Sequence, residues 1–280
     1  KLILYGNQIS KIENLDELYS LNELDLNGNQ ISKIENLNNL NNLIDLKLGF
    51  NKIYKLENLE NLPSLTKLDL IVNQISKIEN LEQLFNLTKL SLGYNNIVRI
   101  ENLIELRNLS TLNLEGNRIN QIHEFDYMPK LERLELSDNQ ITKIEGLSNL
   151  KSLIELNLDS NLIKEIPSFE ELPNIKEFYF YNNQIESFPK EFIESIKDRK
   201  DMKVHIHENP FLEKSEIYIS DYLYFDDDIT NHFDQLIHDY VSIFQETNKG
   251  KLPIPTKIAL FGNSNVGKSH LREFLIKGGV

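Results

Sequence analysis

The chain has 280 residues, of which 40% are hydrophobic, and its 30 basic and 43 acidic side chains give a formal net charge of −13. This balance argues against a general binder of nucleic acid or anionic membranes, because affinity for phosphate depends on lysine and arginine. The lack of cysteine excludes disulfides, thiolate metal sites and a cysteine nucleophile, and no apolar run approaches the ~20 residues of a membrane-spanning helix.

A repeat of 22 residues fills the first three quarters of the chain. Its marker is an asparagine that recurs at this interval and appears once more after a step of 26, at Asn7, Asn29, Asn51, Asn73, Asn95, Asn117, Asn139, Asn161, Asn183 and Asn209. Apolar residues recur five and three positions before each asparagine and two, five, eight, eleven and fourteen positions after it. The alternation before the asparagine predicts a short strand with one buried face.

Stacking of the copies follows from this pattern, because a single coil cannot bury seven apolar residues by itself. Successive strands are then expected to pair in a curved parallel sheet over a continuous core. Each asparagine is expected to be buried where the chain leaves its strand, since an amide side chain can pair with backbone groups that lose their sheet partners. The asparagine ladder is therefore predicted to be structural.

The frame Leu21-x-x-Leu24-x-Leu26-x-x-Asn29-x-Ile31 resembles the leucine-rich repeat. The period of 22 resembles the subclass found in intracellular phosphatase regulators and bacterial internalins. Over residues 1–212 the resemblance implies an α/β fold: a right-handed solenoid of about ten repeats, with a parallel sheet on the concave face and a C-terminal cap at 188–212. No comparable cap precedes Lys1, so the chain is expected to be a fragment of a larger protein.

The resemblance also implies that strand residues pointing away from the core form a concave surface for a protein partner. Two groups stand out on this mostly polar face. One lies on neighbouring coils and comprises Phe50, Ile71, Val72 and Tyr94. The other lies near the C-terminal end and comprises Tyr179, Tyr181, His205 and His207. Such patches commonly mark partner contacts, although single exposed hydrophobic residues are also normal. The two histidines suit metal ligation, but the repeat offers no third ligand.

Residues 213–256 break the repeat and are predicted to form an acidic linker. Glu213 to Glu246 contain nine acidic residues and one lysine. Apolar residues at steps of three and four predict an amphipathic helix at about 226–247, whose apolar stripe is expected to pack on the solenoid or on whatever follows Val280.

Residues 257–280 are predicted to begin a P-loop domain, with an apolar strand, a loop and an apolar helical stripe. The loop matches the Walker A motif and comprises Gly262, Asn263, Ser264, Asn265, Val266, Gly267, Lys268 and Ser269. Lys268 is expected to reach the β and γ phosphates and the Ser269 hydroxyl to bind Mg²⁺. About 24 residues cannot form a nucleotide domain, so this fragment is expected to bind nucleotide weakly or not at all and to lack catalysis.

The loop resembles those of translation-factor-related and Ras-like GTPases, and a leucine-rich repeat solenoid before such a module resembles the Roco architecture. The resemblance implies a parent protein that binds GTP/GDP and Mg²⁺, with K⁺ as a further ion at Asn265, and that forms homodimers through regions beyond Val280. The lack of cysteine fits a cytoplasmic location. No nucleic-acid partner and no membrane span are expected. The alternative is a non-enzymatic adaptor or scaffold without a functional nucleotide site.

Overall fold

The computed structural model describes residues 1–210 apart from 123, 124, 126, 127, 167, 187, 188, 190, 193, 194, 196–198, 200, 201 and 207. Ten short strands form one sheet in chain order, and every neighbouring pair is parallel. The strands are β1 (Leu2–Ile3), β2 (Glu23–Asp25), β3 (Asp45–Lys47), β4 (Lys67–Asp69), β5 (Lys89–Ser91), β6 (Thr111–Asn113), β7 (Arg133–Glu135), β8 (Glu155–Asn157), β9 (Glu177–Tyr179) and β10 (Lys203–His205). A 3₁₀ turn spans Leu147–Asn149.

The register of the sheet follows the sequence period. Leu24 pairs with Leu46 and Leu46 with Leu68, so one copy is one turn of a solenoid. All seven apolar positions of the third copy are at most 1% exposed: Leu46, Leu48, Ile53, Leu56, Leu59, Leu62 and Leu65. The predicted parallel-sheet solenoid with a continuous aliphatic core is confirmed.

The predicted asparagine ladder is also confirmed, except that Asn7 on the first turn is exposed. Asn73 is 9% exposed; its Nδ2 donates to the carbonyls of Leu48 and Leu70 at 3.0 and 3.1 Å, and its Oδ1 accepts from the amide of Ile53 at 2.9 Å. The same arrangement recurs along the stack, so these side chains bond the strand exits of successive coils.

A second asparagine ladder was not anticipated from the sequence. It lies seven residues after the first, where Asn14, Asn36, Asn58, Asn80 and Asn102 have φ between 57° and 62°. Their backbone conformation is left-handed, which asparagine tolerates better than most residues. Asn58 donates to the carbonyl of Ile34 at 2.7 Å, which ties each coil to the one before it.

Aromatic rings of the turns before β10 pack near the C-terminal end of the core. Phe169 stacks on Phe178 with ring centroids 3.7 Å apart and meets Phe192 edge-on at 5.5 Å. The Arg199 guanidinium donates to the carbonyls of Phe169 and Leu172, both at 2.8 Å. The four additional residues before Asn209 therefore accompany a change from aliphatic to aromatic packing.

Three predicted segments lie outside the described residues: the acidic linker 213–256, its helix at 226–247 and the P-loop segment 257–280. The same holds for His207. No helix within the described ranges has the length and apolarity needed to cross a bilayer.

Candidate functional site

The outer face of the sheet is built by four positions in each copy. Numbered from the ladder asparagine, they lie six, four, two and one residues before it; we call their side chains the sheet face and number the copies 1 to 10 from Asn7. The strand alternation sets this geometry: in β4, Leu68 is buried while Lys67 and Asp69 face outward. The prediction that these positions point away from the core is confirmed.

The last sheet-face position has an unusual backbone in every copy. The residue directly before the asparagine is left-handed, with φ between 51° and 70°. Glycine fills it three times and small or polar residues four times, as Gly6, Gly28, Gly116, Asp138, Ser160, Asn182 and Glu208. The remaining copies, 3 to 5, carry Phe50, Val72 and Tyr94, with φ of 54°, 53° and 52°. A left-handed conformation costs an ordinary L-residue roughly 1–2 kcal/mol, and a bulky or β-branched residue there is a genuine outlier.

These three residues and Ile71 form the apolar patch. The side chains of Phe50 and Tyr94 are 54% and 44% exposed, while those of Ile71 and Val72 are half-buried. Ile71 spreads over glycines of both neighbouring copies: a Cβ on Gly49 would lie 2.9 Å from Ile71 Cγ2. The structure thus brings together the first predicted group on adjacent turns.

Tyr94 is held in place at the edge of the apolar patch. Its ring lies over Gly116, where a Cβ would stand 2.5 Å from Tyr94 Cδ1. Its hydroxyl donates to Glu115 Oε1 at 2.6 Å, and this hydrogen bond, with burial, raises the pKa of Tyr94 to about 12. The hydroxyl therefore remains protonated at all ordinary pH values, and the ring is oriented before any partner arrives.

The second predicted group is only partly described. The Tyr179 ring stacks on His205 with centroids 4.4 Å apart, and its hydroxyl donates to Glu177 Oε2 at 2.8 Å. Burial, followed by this hydrogen bond, raises the pKa of Tyr179. The Tyr181 amide donates to Asp159 Oδ1 at 2.6 Å. His207 lies outside the described residues, and within them no group of three or more metal-ligating side chains occurs.

Carboxylates dominate the sheet face of copies 6 to 9, a feature not singled out in the sequence. We call the acidic segment its six members: Glu115, Glu135, Asp138, Glu155, Asp159 and Glu177. Burial raises the pKa of Asp159 to about 6, and burial together with Glu155 raises the pKa of Glu135. Sorting the sheet-face positions by charge, copy by copy, would have revealed this segment.

A polar groove of about 630 Å³ runs beside the sheet across copies 3 to 7. Its hydroxyls donate to the backbone of the preceding copy: Thr88 Oγ1 bonds the Thr66 carbonyl and Ser110 Oγ bonds the Thr88 carbonyl, both at 3.0 Å. The amides of Asn86 and Asn108 likewise bond the carbonyls of Pro63 and Phe85. These polar groups are engaged in joining the coils.

Comparisons with known proteins match the repeat region. The family model described as "Leucine Rich repeats (2 copies)" matches residues 129–171 and 151–195, and "Leucine rich repeat" matches 85–141. A comparison with curated proteins gave no match.

Several solved structures are similar to the chain. A leucine-rich repeat protein of Leptospira interrogans is 28% identical with a TM-score of 0.66, and the match covers 75% of this chain and 55% of that one. Internalin C2 of Listeria monocytogenes is 27% identical with a TM-score of 0.52, covering 73% and 79%. A complex of TLR13 with ssRNA13 is 25% identical with a TM-score of 0.61, covering 69% and 30%. The chain thus spans about half the length of the Leptospira protein.

Proposed function

We propose that this leucine-rich repeat solenoid, with its 22-residue repeats, is a protein-recognition module that binds its partner on the sheet face at the apolar patch. The observation that carries the proposal is the run of Phe50, Val72 and Tyr94 at left-handed positions. The same position in seven other copies holds glycine, asparagine or another small or polar residue. The three bulky residues destabilise a position at which the fold accepts residues with less backbone strain. They are therefore best explained by a contact made outside the solenoid.

Protein suits this face better than nucleic acid. One similar solved structure holds a single-stranded RNA on TLR13, but binding of RNA depends on lysine and arginine opposite the phosphates. In copies 6 to 9 the described sheet face carries six carboxylates and one cation, Arg133. Exposed apolar side chains next to a polar rim are instead the usual composition of a protein interface.

Site-specific cross-linking tests the proposal. A photoreactive residue replaces Ser91, which is on the sheet face beside the apolar patch, or Glu82, an exposed residue outside that face. Each protein is irradiated in an extract of the source organism. We expect a discrete protein adduct from position 91 only, and its loss when Phe50→Asn, Val72→Asn and Tyr94→Asn are combined. Equal adducts from both positions, or an adduct that survives the triple substitution, would contradict the proposal.

We infer a second function, nucleotide binding by the parent protein, from the sequence at 262–269. The Walker A match supports binding of GTP/GDP with Mg²⁺ through Lys268 and Ser269, with K⁺ at Asn265, in a cytoplasmic Roco-like protein that dimerises through regions beyond Val280. Both family matches fall within 85–195 and favour the adaptor alternative over the GTPase.

Binding of fluorescent GDP distinguishes a GTPase from an adaptor as the function of the parent protein. A GTPase should bind this probe with micromolar affinity in Mg²⁺ and lose the binding in Lys268→Ala, while chain 1–280 alone binds it poorly. An adaptor should bind no GDP yet keep the cross-linked partner in Lys268→Ala. Micromolar GDP binding by chain 1–280 would contradict the expectation that it binds nucleotide weakly or not at all.

A further inference from the structure

We propose that the partner of the sheet face is a basic protein segment, with an apolar side chain seated on the apolar patch and at least two lysine or arginine side chains lying over the acidic segment. This inference rests on the proposed function and adds the chemistry of the partner to it.

Charge is distributed unevenly along the sheet face. Copies 1 to 5 carry four acidic and four basic side chains at the sheet-face positions, whereas copies 6 to 9 carry the six carboxylates of the acidic segment and one arginine. In the first half, Lys47 contacts Glu23 at 2.9 Å and Lys1 contacts the same carboxylate at 3.0 Å. The acidic character therefore belongs to one part of the face and is not a general property of the repeat.

Few of these carboxylates meet a cation within the described part of the chain. Arg133 pairs with Glu155 at 3.3 Å and Lys203 with Glu177 at 3.5 Å, and no ion pair among the described residues reaches Glu135 or Asp159. Glu135 and Asp159 nevertheless lie half-buried in the floor of the face. A partner that covers them removes their remaining water, which is unfavourable unless the partner supplies opposite charge.

The apolar patch and the acidic segment are physically continuous. Tyr94 belongs to the patch, and its hydroxyl bonds Glu115, the first carboxylate of the acidic segment. At the far end of the segment lies the half-buried ring of Tyr179, and cations interact favourably with aromatic faces. One ligand that crosses the copies thus meets an apolar contact first and carboxylates next, which favours a basic segment over a neutral or acidic one.

The spacing of the coils sets the spacing of the ligand's side chains. Parallel strands lie about 4.8 Å apart, so Glu135 and Asp159 are roughly 10 and 14 Å from Tyr94 and roughly 14 and 19 Å from Ile71 across the sheet. An extended peptide advances about 3.3 Å per residue. The cations are therefore expected three to six residues from the apolar side chain.

Selection from random twelve-residue peptides displayed on phage tests this proposal on the full chain. We expect enriched peptides to combine an apolar residue with two or more lysines or arginines at a spacing of three to six. Affinity of such peptides should fall at least tenfold in Glu135→Gln/Asp159→Asn and also fall with added salt. The matched control Glu60→Gln/Glu82→Gln removes two exposed carboxylates outside the sheet face and should leave binding unchanged.

The outcomes separate this inference from the proposed function. Enriched peptides that depend on the apolar patch but are neutral or acidic would overturn the basic partner and leave the recognition site standing. Peptides bound equally by wild type and Glu135→Gln/Asp159→Asn would do the same. If no enriched peptide loses affinity in the Phe50→Asn/Val72→Asn/Tyr94→Asn variant, the recognition site fails as well.

Discussion

Replacing Val72 by asparagine should stabilise the solenoid while weakening partner binding. Val72 has a φ of 53°, in the left-handed region that β-branched residues adopt least readily. Relief of this conformation is worth roughly 1–2 kcal/mol, because asparagine tolerates it. The side chain is half-buried, so the loss of its apolar contacts offsets this by about 0.5–1 kcal/mol. The net expectation is a gain in the free energy of unfolding of about 0.5–1 kcal/mol.

Val98 provides the matched control for this experiment. It is an exposed valine, 46% accessible, and its φ is not positive. Val98→Asn should therefore change the free energy of unfolding by no more than about 0.5 kcal/mol in either direction. Urea denaturation followed by circular dichroism measures both variants, compared by their midpoints because repeat arrays depart from two-state unfolding. If Val72→Asn is destabilised as much as Val98→Asn or more, backbone strain is not the property that distinguishes the left-handed position before each asparagine.

Three further predictions concern stability. Asn73→Ala should lower the free energy of unfolding by about 3 kcal/mol or more, since it leaves buried backbone partners such as the Leu48 carbonyl unpaired. Asn7 is exposed, so Asn7→Ala should lower it by less than about 1 kcal/mol and is the control in the same urea titration. Gly116→Ala should destabilise by about 1–3 kcal/mol, because its φ is 63° and a Cβ meets the Tyr94 ring; partial rescue in Gly116→Ala/Tyr94→Ala is expected, and no rescue would mean that φ alone is responsible. Asp159 has a folded pKa of about 6, above its unfolded value near 3.8, so it should make the stability of the solenoid fall as pH rises from 4 to 6. Thermal melts of Asp159→Asn should show a flatter dependence of stability on pH and a gain of about 1 kcal/mol at pH 7, discounted for partial exposure. An unchanged dependence of stability on pH would contradict the raised pKa.

The scaffold was predictable because the repeat is a strong and redundant signal. Each copy repeats the same pattern of apolar residues and asparagine. The 22-residue period and the need to share one core therefore predict the strand positions, the register of Leu24 on Leu46 and the burial of Asn73. The apolar patch was predictable for the same reason, since Phe50, Ile71, Val72 and Tyr94 occupy outward positions of consecutive copies.

Other features of the site could not be read from the pattern. The left-handed row before each asparagine is a backbone conformation, and residues as different as Gly28, Val72 and Glu208 adopt it, so residue type alone does not reveal it. The bond between Tyr94 and Glu115 depends on how two neighbouring turns are placed side by side. The aromatic packing of Phe169 on Phe178 likewise depends on how two neighbouring turns are placed.

What the sequence determined by itself is the architecture: a period of 22 residues can bury its aliphatic positions only by stacking, and stacking dictates a parallel sheet with an outward row of side chains. What only the tertiary structure decided is the set of chemical properties of the sheet face. The burial that raises the pKa of Asp159 and the junction of the apolar patch with the acidic segment arise between neighbouring turns, and the left-handed backbone at Phe50 is a conformation that residue type does not reveal. Such properties depend on distance and exposure, which a one-dimensional pattern does not contain.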